Sequence, residues 1–288
     1  MINLKLLSVW TACFFSLFGS LSGTNCFQEA HISSDGISDG NIMMPGFSVL
    51  TWNIGCADLK ASPALDRYLP WISSVINELD PDVVTLQEQA TQEQFDKLLC
   101  LLSGRYKGKT TATTGGRGAS ILSRIPITKW EVIRTHMGRD LPAVEIETAC
   151  LKKKCYIVSC YAPAGKNALN RNKLCVALMD WAKSKNATTF LAGDFNFAPD
   201  NWVDQYTPFF SDNTELDGKT YNYIIGFVDD LGKKAGTTAL LNRRIDYIFS
   251  GPKGLAVREI KVIKNKRTGV MDHNPVFVRV AEDSLRTE

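Results

Sequence analysis

"LAGDFNFAPD", residues 191–200, places a carboxylate and an amide two residues apart, directly after an apolar run. The apolar run predicts a buried strand, and Gly, Asp, Asn and Pro are the usual turn formers. Because side chains two residues apart on a strand point to the same side, we expect Asp194 and Asn196 to leave this strand together. A plain turn would contain the same residues, so the rest of the chain decides between a turn and an active site.

Short apolar runs alternate with turns and helical stretches from Phe47 onwards. Apolar residues at helical spacing predict helices over residues 62–79, 91–102 and 171–184. We expect Thr91, followed by Gln94, to cap the second helix, and Pro70 to kink or break the first. Strands are predicted over residues 47–54, 83–88, 118–124, 143–148, 155–163, 188–196, 243–251 and 275–281. Intermixed short strands and a few helices favour a layered sheet-on-sheet core with helices outside, in one domain over residues 46–281.

The first 23 residues carry one Lys, an apolar stretch from Leu6 and small residues at their end. This pattern is typical of a secretory signal peptide, so we expect a secreted or periplasmic mature protein. A membrane anchor fits less well, because the stretch contains Ser, Thr and Gly and is short for a span of about 20 residues. Residues 24–45 lack periodicity and predict a flexible segment, and residues 282–288 form a C-terminal tail.

The composition, 44% hydrophobic and 22% charged, is that of an ordinary globular protein. A net charge of +3 and a pI of about 8.3 permit a polyanionic partner without requiring one. Of the eight cysteines, Cys13 would leave with the signal peptide, so an odd number remains and at least one thiol is unpaired in a monomer. Cys150 and Cys155 bracket a predicted hairpin tip, where the sequence allows either a cross-strand disulfide or free thiols.

Polar side chains stand at or next to the ends of the predicted strands, except Asp246, which lies inside one. The set consists of Asn53, Glu88, Tyr161, Asp194, Asn196, Asp246, Asp272 and His273. Each residue alone has an ordinary explanation as a cap or turn former, but together they can meet at one edge of a layered sheet. Hard oxygen ligands suit Mg²⁺ or Mn²⁺, and an Asp can hold a neighbouring His in one tautomer. These groups therefore suit metal-assisted attack of water on a phosphate ester.

Six segments carry a resemblance to a known family. In chain order they are "TWNIG" (51–55), "LQE" (86–88), "SCYAP" (159–163), "GDFN" (193–196), "RRIDYIF" (243–249) and "MDHNPV" (271–276). On these segments the chain resembles the endonuclease/exonuclease/phosphatase superfamily over nearly all of residues 47–280. The resemblance implies the deoxyribonuclease I-like α/β fold, a four-layer sandwich of two packed mixed β-sheets flanked by helices. It also implies cleavage of phosphoester bonds with Mg²⁺ or Mn²⁺.

The resemblance implies roles for individual residues. Glu88 would bind the metal, with Asn53 beside it and Asp272 close by. Asp194 would orient or deprotonate the attacking water. Asn196 would hold that water or a phosphate oxygen.

The remaining family positions would act on the substrate. His273, paired with Asp246, would stabilise charge on the phosphoryl oxygens. Tyr161 would donate to the phosphate or to the leaving oxygen. Gly55 departs from the pattern, because members often carry an acidic residue there, and this leaves fewer ligands for a second metal.

Arg243 and Arg244 immediately precede the "IDYIF" segment and are predicted to bind substrate phosphates. Because side chains alternate along a strand, we expect one of the two to face the cleft. Arg243 also stands where abasic-site nucleases carry an aromatic residue, which argues against abasic-site specificity. A monomeric nuclease acting on DNA or RNA is therefore the leading hypothesis. The alternatives are a phosphoinositide or inositol phosphate phosphatase and a sphingomyelinase-type hydrolase acting on sphingolipid. A catalytically inactive member acting as a binding or effector protein is a further alternative, although all the metal and His positions are present.

Overall fold

The computed structural model describes residues 46–55, 62–89, 91–111, 118–135, 137, 139–151, 153–198, 210–240, 242–264 and 271–282, with the side chains of residues 62–65 and 282 excepted. The expected signal peptide, the segment 24–45 and nearly all of the C-terminal tail lie outside the described residues. The domain boundaries at 46 and 281 stay predictions. Among the residues that the structure describes, no helix combines the length and the apolar character needed to cross a bilayer.

The first sheet has six strands in the order β11-β12-β1-β2-β4-β3. Its members are β1 (Phe47–Asn53), β2 (Val83–Gln89), β3 (Lys107–Thr110), β4 (Gly118–Ser123), β11 (Leu255–Val262) and β12 (Val276–Glu282). β1 and β2 run parallel, while the other neighbours in this sheet are antiparallel. The parallel pair places the carboxyl ends of β1 and β2 at the same edge of the sheet.

The second sheet also has six strands, in the order β5-β6-β7-β8-β10-β9. Its members are β5 (Ile127–Arg134), β6 (Asp140–Thr148), β7 (Lys153–Tyr161), β8 (Thr188–Asp194), β9 (Asp229–Asp230) and β10 (Asp246–Gly251). β7 and β8 run parallel, and the other pairs are antiparallel. Each mixed sheet thus has one parallel pair near its centre.

Within the described residues, four helices flank the two sheets: α1 (Ser62–Leu79), α2 (Gln92–Leu101), α3 (Ala168–Ser184) and α4 (Thr214–Ile225). α1 and α2 pack on the first sheet through a buried cluster that includes Leu50 and Ile72. α3 and α4 pack on the second sheet through a cluster that includes Leu178 and Leu191. A third cluster, with Val49 of β1 and Phe190 of β8, fills the space between the sheets. These layers confirm the predicted α/β sandwich.

The predicted cap of α2 and the predicted effect of Pro70 on α1 have different outcomes. Thr91 Oγ1 accepts a hydrogen bond of 3.2 Å from Gln94 N, so the predicted cap of α2 is confirmed. α1 continues through Pro70 without ending there. An interior Pro costs about 3 kcal/mol, but each buried apolar side chain on this face, such as Ile72 and Ile76, contributes about 1.5–3 kcal/mol.

Free thiols among the described residues include Cys100, Cys150, Cys160 and Cys175. The optional disulfide between Cys150 and Cys155 is therefore absent. Cys155 is buried in the core between the sheets, and Cys150 lies in the short 3-10 turn Ala149–Leu151 that connects β6 to β7.

Candidate active site

The carboxyl ends of the two parallel strand pairs meet at one edge of the sandwich. There the Asn53 side-chain amide, at the end of β1, lies 3.0 Å from Glu88 Oε1 of β2. The same amide nitrogen lies 3.0 Å from Asp194 Oδ2 of β8 in the other sheet. Asn53 is buried, and its side-chain oxygen Oδ1 accepts a hydrogen bond of 2.9 Å from Gly55 N. The site is thus assembled across both sheets, with one amide connecting two carboxylates.

Glu88 occupies a β-bulge. Gln87 pairs with Ala119 and Gln89 pairs with Gly118, so Glu88 is the extra residue of β2 opposite β4. Its φ of 60° is unusual for a residue other than glycine. Bulges re-aim side chains and are common beside active sites, and here the bulge directs the carboxylate toward Asn53.

Tyr161, at the end of β7, completes the setting of this carboxylate. Its hydroxyl donates to Glu88 Oε1 at 2.9 Å. Tyr161 was predicted to donate this proton to the phosphate or to the leaving oxygen. In the structure, the hydroxyl donates it to Glu88 and orients that carboxylate. Burial, and secondarily the Glu88 charge, raise the pKa of Tyr161 well above its usual range. The hydroxyl therefore remains a donor at all physiological pH values.

Asp194 is buried at the end of β8 and accepts three hydrogen bonds. The donors are the amides of Asn53 and Asn196, at 3.0 and 2.9 Å from Oδ2, and the backbone N–H of Asn196, at 2.9 Å from Oδ1. Burial raises the pKa of Asp194 to about 7, although His273 opposes the shift. A carboxylate with a pKa near neutrality can exchange a proton with water at physiological pH.

The spacing argument predicted that Asn196 leaves a strand beside Asp194, and the structure shows a different arrangement. β8 ends at Asp194, and Asn196 has a left-handed backbone with a φ of 54°. This turn folds the amide back, where it donates to Asp194 Oδ2 and to Ala162 O, both at 2.9 Å. Both amide hydrogens are donated inside the protein, so Asn196 can meet a water only through its carbonyl oxygen.

His273 and Asp246 form a buried pair. The Nδ1 atom of His273 lies 3.0 and 2.9 Å from the two carboxylate oxygens of Asp246, the first residue of β10. The opposite nitrogen, Nε2, lies 4.0 Å from Asp194 Oδ2 and 3.7 Å from Asp272 Oδ1. Burial acts to lower the pKa of His273, but Asp246 and Asp194 outweigh it and raise the pKa to about 10. The ring is therefore an imidazolium at neutral pH.

The carboxylate and imidazole groups at this edge differ in their suitability as metal ligands. Asp194, Asp246 and His273 offer one ligand atom each within 4.8 Å of one another. The Asp194 oxygens, however, already accept hydrogen bonds from Asn53 and Asn196, and the Asp246 oxygens already pair with His273 Nδ1. Glu88 is partly exposed and Asp272 is 46% exposed, and both offer hard carboxylate oxygens. This donor set suits Mg²⁺ or Mn²⁺, and the assignment of Glu88 and Asp272 as ligands stays a prediction.

Arg243 faces the site, whereas Arg244 does not. Burial lowers the pKa of Arg243, while the charges of Asp194, Asp272 and Asp246 act to raise it, so these carboxylates act on the guanidinium electrostatically. Its Nε atom donates to Leu240 O at 3.2 Å. The guanidinium stacks on the ring of Phe210 at 4.0 Å. The expected strand through both arginines is absent, because β10 begins at Asp246.

Arg244 is correspondingly the arginine of the two that is ion-paired away from the site. Its side chain is 2% exposed, and Nη2 lies 2.6 Å from both carboxylate oxygens of Asp230 in β9. The guanidinium also covers the ring of Tyr247 at 4.4 Å. A buried, ion-paired guanidinium cannot bind a substrate without breaking this pair.

Arg139 is a candidate site residue that the sequence analysis missed. Its guanidinium stacks on the Tyr161 ring at 3.9 Å, and within the described part of the chain its buried Nη1 has no hydrogen-bond partner. The β6–β7 register pairs Ala143 with Val158, and continued outward it sets Arg139 opposite Ala162, one residue from Tyr161. Because residues one step out of register face opposite sides of a sheet, the stacking of Arg139 on Tyr161 could not be read from an alignment of the two strands.

The two mixed sheets and their flanking helices form the deoxyribonuclease I-like α/β sandwich. Residues 50–267 match the sequence model of the Endonuclease/Exonuclease/phosphatase family, and the chain belongs to that family. Members of this family are generally phosphoester hydrolases and typically depend on a divalent metal. A search of curated proteins finds no match to this chain.

Solved structures share the fold at low sequence identity. The endonuclease/exonuclease/phosphatase from Bacteroides vulgatus has a TM-score of 0.65 and 16% identity, and the match covers 83% of this chain and 100% of that one. The 3′ phosphatase NExo from Neisseria, solved with a product DNA hairpin, has a TM-score of 0.63, 16% identity and coverage of 81% and 98%. Truncated Caenorhabditis elegans TDP2 has a TM-score of 0.60, 18% identity and coverage of 82% and 97%.

Proposed function

We propose that the protein is a secreted, divalent-metal-dependent phosphodiesterase that cleaves DNA or RNA. The observation that carries the proposal is the Asn53 amide, which connects the Glu88 carboxylate of one sheet to the Asp194 carboxylate of the other at 3.0 Å each. This contact holds a candidate metal ligand and a candidate base next to each other. His273, paired with Asp246, places its Nε2 atom 4.0 Å from Asp194 Oδ2.

Glu88 would hold the metal ion, with Asp272 close by. When bound, a divalent ion polarises a phosphoryl oxygen and offsets the charge that develops on it. Asn53 and Tyr161 fix the orientation of the Glu88 carboxylate through hydrogen bonds of 3.0 and 2.9 Å. This arrangement of residues around a ligand carboxylate raises metal affinity by reducing its freedom.

Asp194 would accept a proton from the attacking water. Its pKa near 7 keeps much of it ionised at neutral pH and still basic enough to accept a proton. The carbonyl oxygen of Asn196 would position the same water. His273, charged through its pairing with Asp246, would donate from Nε2 to a phosphoryl oxygen and stabilise the negative charge there.

Two arginines support a nucleic acid substrate. Arg139 and Arg243 lie beside the catalytic residues, and each stacks on an aromatic ring that limits its motion. Guanidinium groups are well suited to binding phosphate oxygens in pairs of hydrogen bonds. Nucleic acid also appears with one neighbour of the same fold, the Neisseria 3′ phosphatase bound to a DNA hairpin.

Parallel hydrolysis assays test the proposal. Supercoiled plasmid, RNA, sphingomyelin and phosphoinositides are incubated with Mg²⁺, with Mn²⁺ and with excess chelator. We expect cleavage of DNA or RNA only with metal, and a loss of at least about 10²-fold in kcat for Asp194→Asn. Asp180→Asn, on the exposed face of α3, is the matched control. Cleavage of a lipid alone supports the lipid hydrolase alternatives, and no cleavage of any substrate supports an inactive binding protein.

Export is tested separately from catalysis. If residues 1 to about 23 are a signal peptide, N-terminal sequencing of secreted or periplasmic protein should begin near Thr24. An intact Met1 in that material would contradict the export part of the proposal and leave the catalytic part standing.

A further inference from the structure

A cavity of about 550 Å³ opens directly beside the catalytic edge. Asp272 and Asn274, the two sequence neighbours of His273, both line it. Its other wall is the turn that precedes Arg243, with Leu240 and Asn242. A group bound in this cavity would therefore contact the residues on either side of the catalytic histidine.

Backbone hydrogen bonds connect the turn that lines the cavity to the segment that contains His273. Leu240 N donates to Asp272 O at 3.0 Å, and Asn274 N donates to Thr238 O at 2.6 Å. Ala239 forms a bridge with His273. These contacts hold the cavity and the catalytic pair as one unit, so a ligand in the cavity would be positioned relative to Nε2 of His273.

The chemistry of the lining distinguishes between kinds of ligand. Leu240, Val262 and Met271 supply apolar surface, and Leu240 is 50% exposed at the rim. Thr237 and Asn242 supply groups that donate and accept hydrogen bonds. A nucleobase has apolar faces and polar edges, so it can use both parts of this lining.

Other substrates of phosphoester hydrolases fit the lining less well. Lys264 and Asp272 carry opposite charges, so the lining that the structure describes lacks the excess of cations that a polyphosphorylated inositol ring requires. A lipid chain would bury the amides without partners, at a cost. A choline headgroup is bound by aromatic rings, and the cavity wall has no aromatic side chain within the described residues.

We propose that this cavity binds the nucleoside adjacent to the scissile phosphate, with the base between Leu240 and Thr237. The inference rests on the proposed function and extends it, because it names the part of a nucleic acid that the enzyme recognises outside the phosphate. Leu240 and Thr237 are then specificity-determining residues.

The test compares two substrates that differ by the nucleoside. The 5′ and 3′ p-nitrophenyl phosphate esters of thymidine carry a nucleoside beside the scissile phosphate, and bis(p-nitrophenyl) phosphate does not. The measured quantity is the ratio of kcat/KM for the better thymidine ester to kcat/KM for bis(p-nitrophenyl) phosphate. We expect a ratio well above one for the wild-type protein, and a fall of about tenfold in Thr237→Trp, which fills the cavity.

Leu240→Ala, which shortens the rim, should lower the same ratio by a smaller factor. Leu101→Ala is the matched control, since Leu101 is 40% exposed at the distant end of α2. The proposal is overturned if the wild-type ratio is near one, or if both cavity variants stay within twofold of the wild-type ratio. Because the ratio cancels a general loss of catalysis, a partly misfolded variant cannot imitate the expected result.

Failure of the proposed function gives a different result. If none of the three esters is hydrolysed with any metal, the phosphodiesterase assignment is contradicted. Binding of thymidine 5′-monophosphate, measured by calorimetry, then tests the cavity alone. Weaker binding to Thr237→Trp than to wild type supports the cavity assignment, and equal binding overturns it.

Discussion

Asn53 and Asp194 lie on different sheets, and the Asn53 amide donates to Asp194 Oδ2 at 3.0 Å while remaining buried. The same nitrogen also reaches Glu88, so one side chain connects the two carboxylates. The mutual repulsion of the carboxylates is offset where both accept from one amide. The relative position of the two sheets is therefore coupled to the geometry of the site.

Asn53→Ala should lower kcat by roughly 10- to 100-fold, in the range seen when a partner of a ligand carboxylate is removed. The loss is expected because Glu88 and Asp194 lose their common donor. Initial rates with bis(p-nitrophenyl) phosphate at saturating Mg²⁺ measure it. Asn77→Ala is the control, since Asn77 is an exposed residue of α1 that accepts from Arg105. A variant at position 53 with the wild-type kcat would show that the connection is not needed for the geometry.

The pH dependence of kcat/KM should show two limbs. Burial raises the pKa of Asp194 to about 7, so the base form is lost as the pH falls through 7 and the rate should fall with it. The carboxylates of Asp246 and Asp194 outweigh burial and raise the pKa of His273 to about 10, so the imidazolium is lost as the pH rises through 10. We expect a rate maximum between these values.

The Asp246→Asn variant tests whether the two limbs of the pH profile belong to Asp194 and His273 or to other ionisable groups. Asp246 acts to raise the pKa of both His273 and Asp194. Without its charge both limbs should move to lower pH, and the alkaline limb should move further, because Asp246 contacts His273 directly. A profile whose limbs keep their wild-type positions in Asp246→Asn would assign them to other groups.

The sequence predicted the central strands and missed the edges. The strands missing from the predictions, β3, β5, β9 and β11, are the terminal strands of the two sheets. A central strand is covered on both faces and is read from its apolar run, as in β8, where every residue is buried. The edge strand β11 contains only half-buried and exposed residues, so its apolar signal is weak.

The site residues were predictable in identity and less so in geometry. Asp194 and His273 belong to short motifs, and the structure brings them to within 4.0 Å. The left-handed backbone of Asn196 and the bulge at Glu88 depend on contacts with other strands, which local sequence does not encode. The pairing of Arg244 with Asp230 likewise joins β9 to the start of β10, so it required the sheet order to be known.

Arg244→Met should destabilise the fold. The substitution leaves the buried Asp230 carboxylate with the hydrogen bond from the Tyr221 hydroxyl but without its cation, and breaking a buried ion pair in this way costs about 3–5 kcal/mol. The expected result is a lower midpoint in urea unfolding, with kcat nearly unchanged in the protein that remains folded. Arg258→Met, on the exposed part of β11, is the control. A midpoint equal to that of the wild type would show that the pair adds nothing to stability.

Arg243→Ala should act on substrate binding instead. Arg243 faces Asp194, Asp272 and Asp246 and stacks on Phe210, so it is placed to bind a phosphate of a nucleic acid. Each phosphate contact that is lost should reduce the slope of log KM against log salt concentration by roughly one. We therefore expect a higher KM for DNA at moderate salt and a flatter salt dependence, with kcat changed less.

The comparison with Arg244 makes this last prediction specific. Both residues carry one positive charge and differ by one position, but Arg244 is neutralised by Asp230 at 2.6 Å. Arg244→Met should consequently leave the salt slope of the folded protein at its wild-type value. Equal slopes for wild type, Arg243→Ala and Arg244→Met would show that this edge does not bind nucleic acid phosphates, and the phosphoinositide and sphingolipid alternatives would then be favoured.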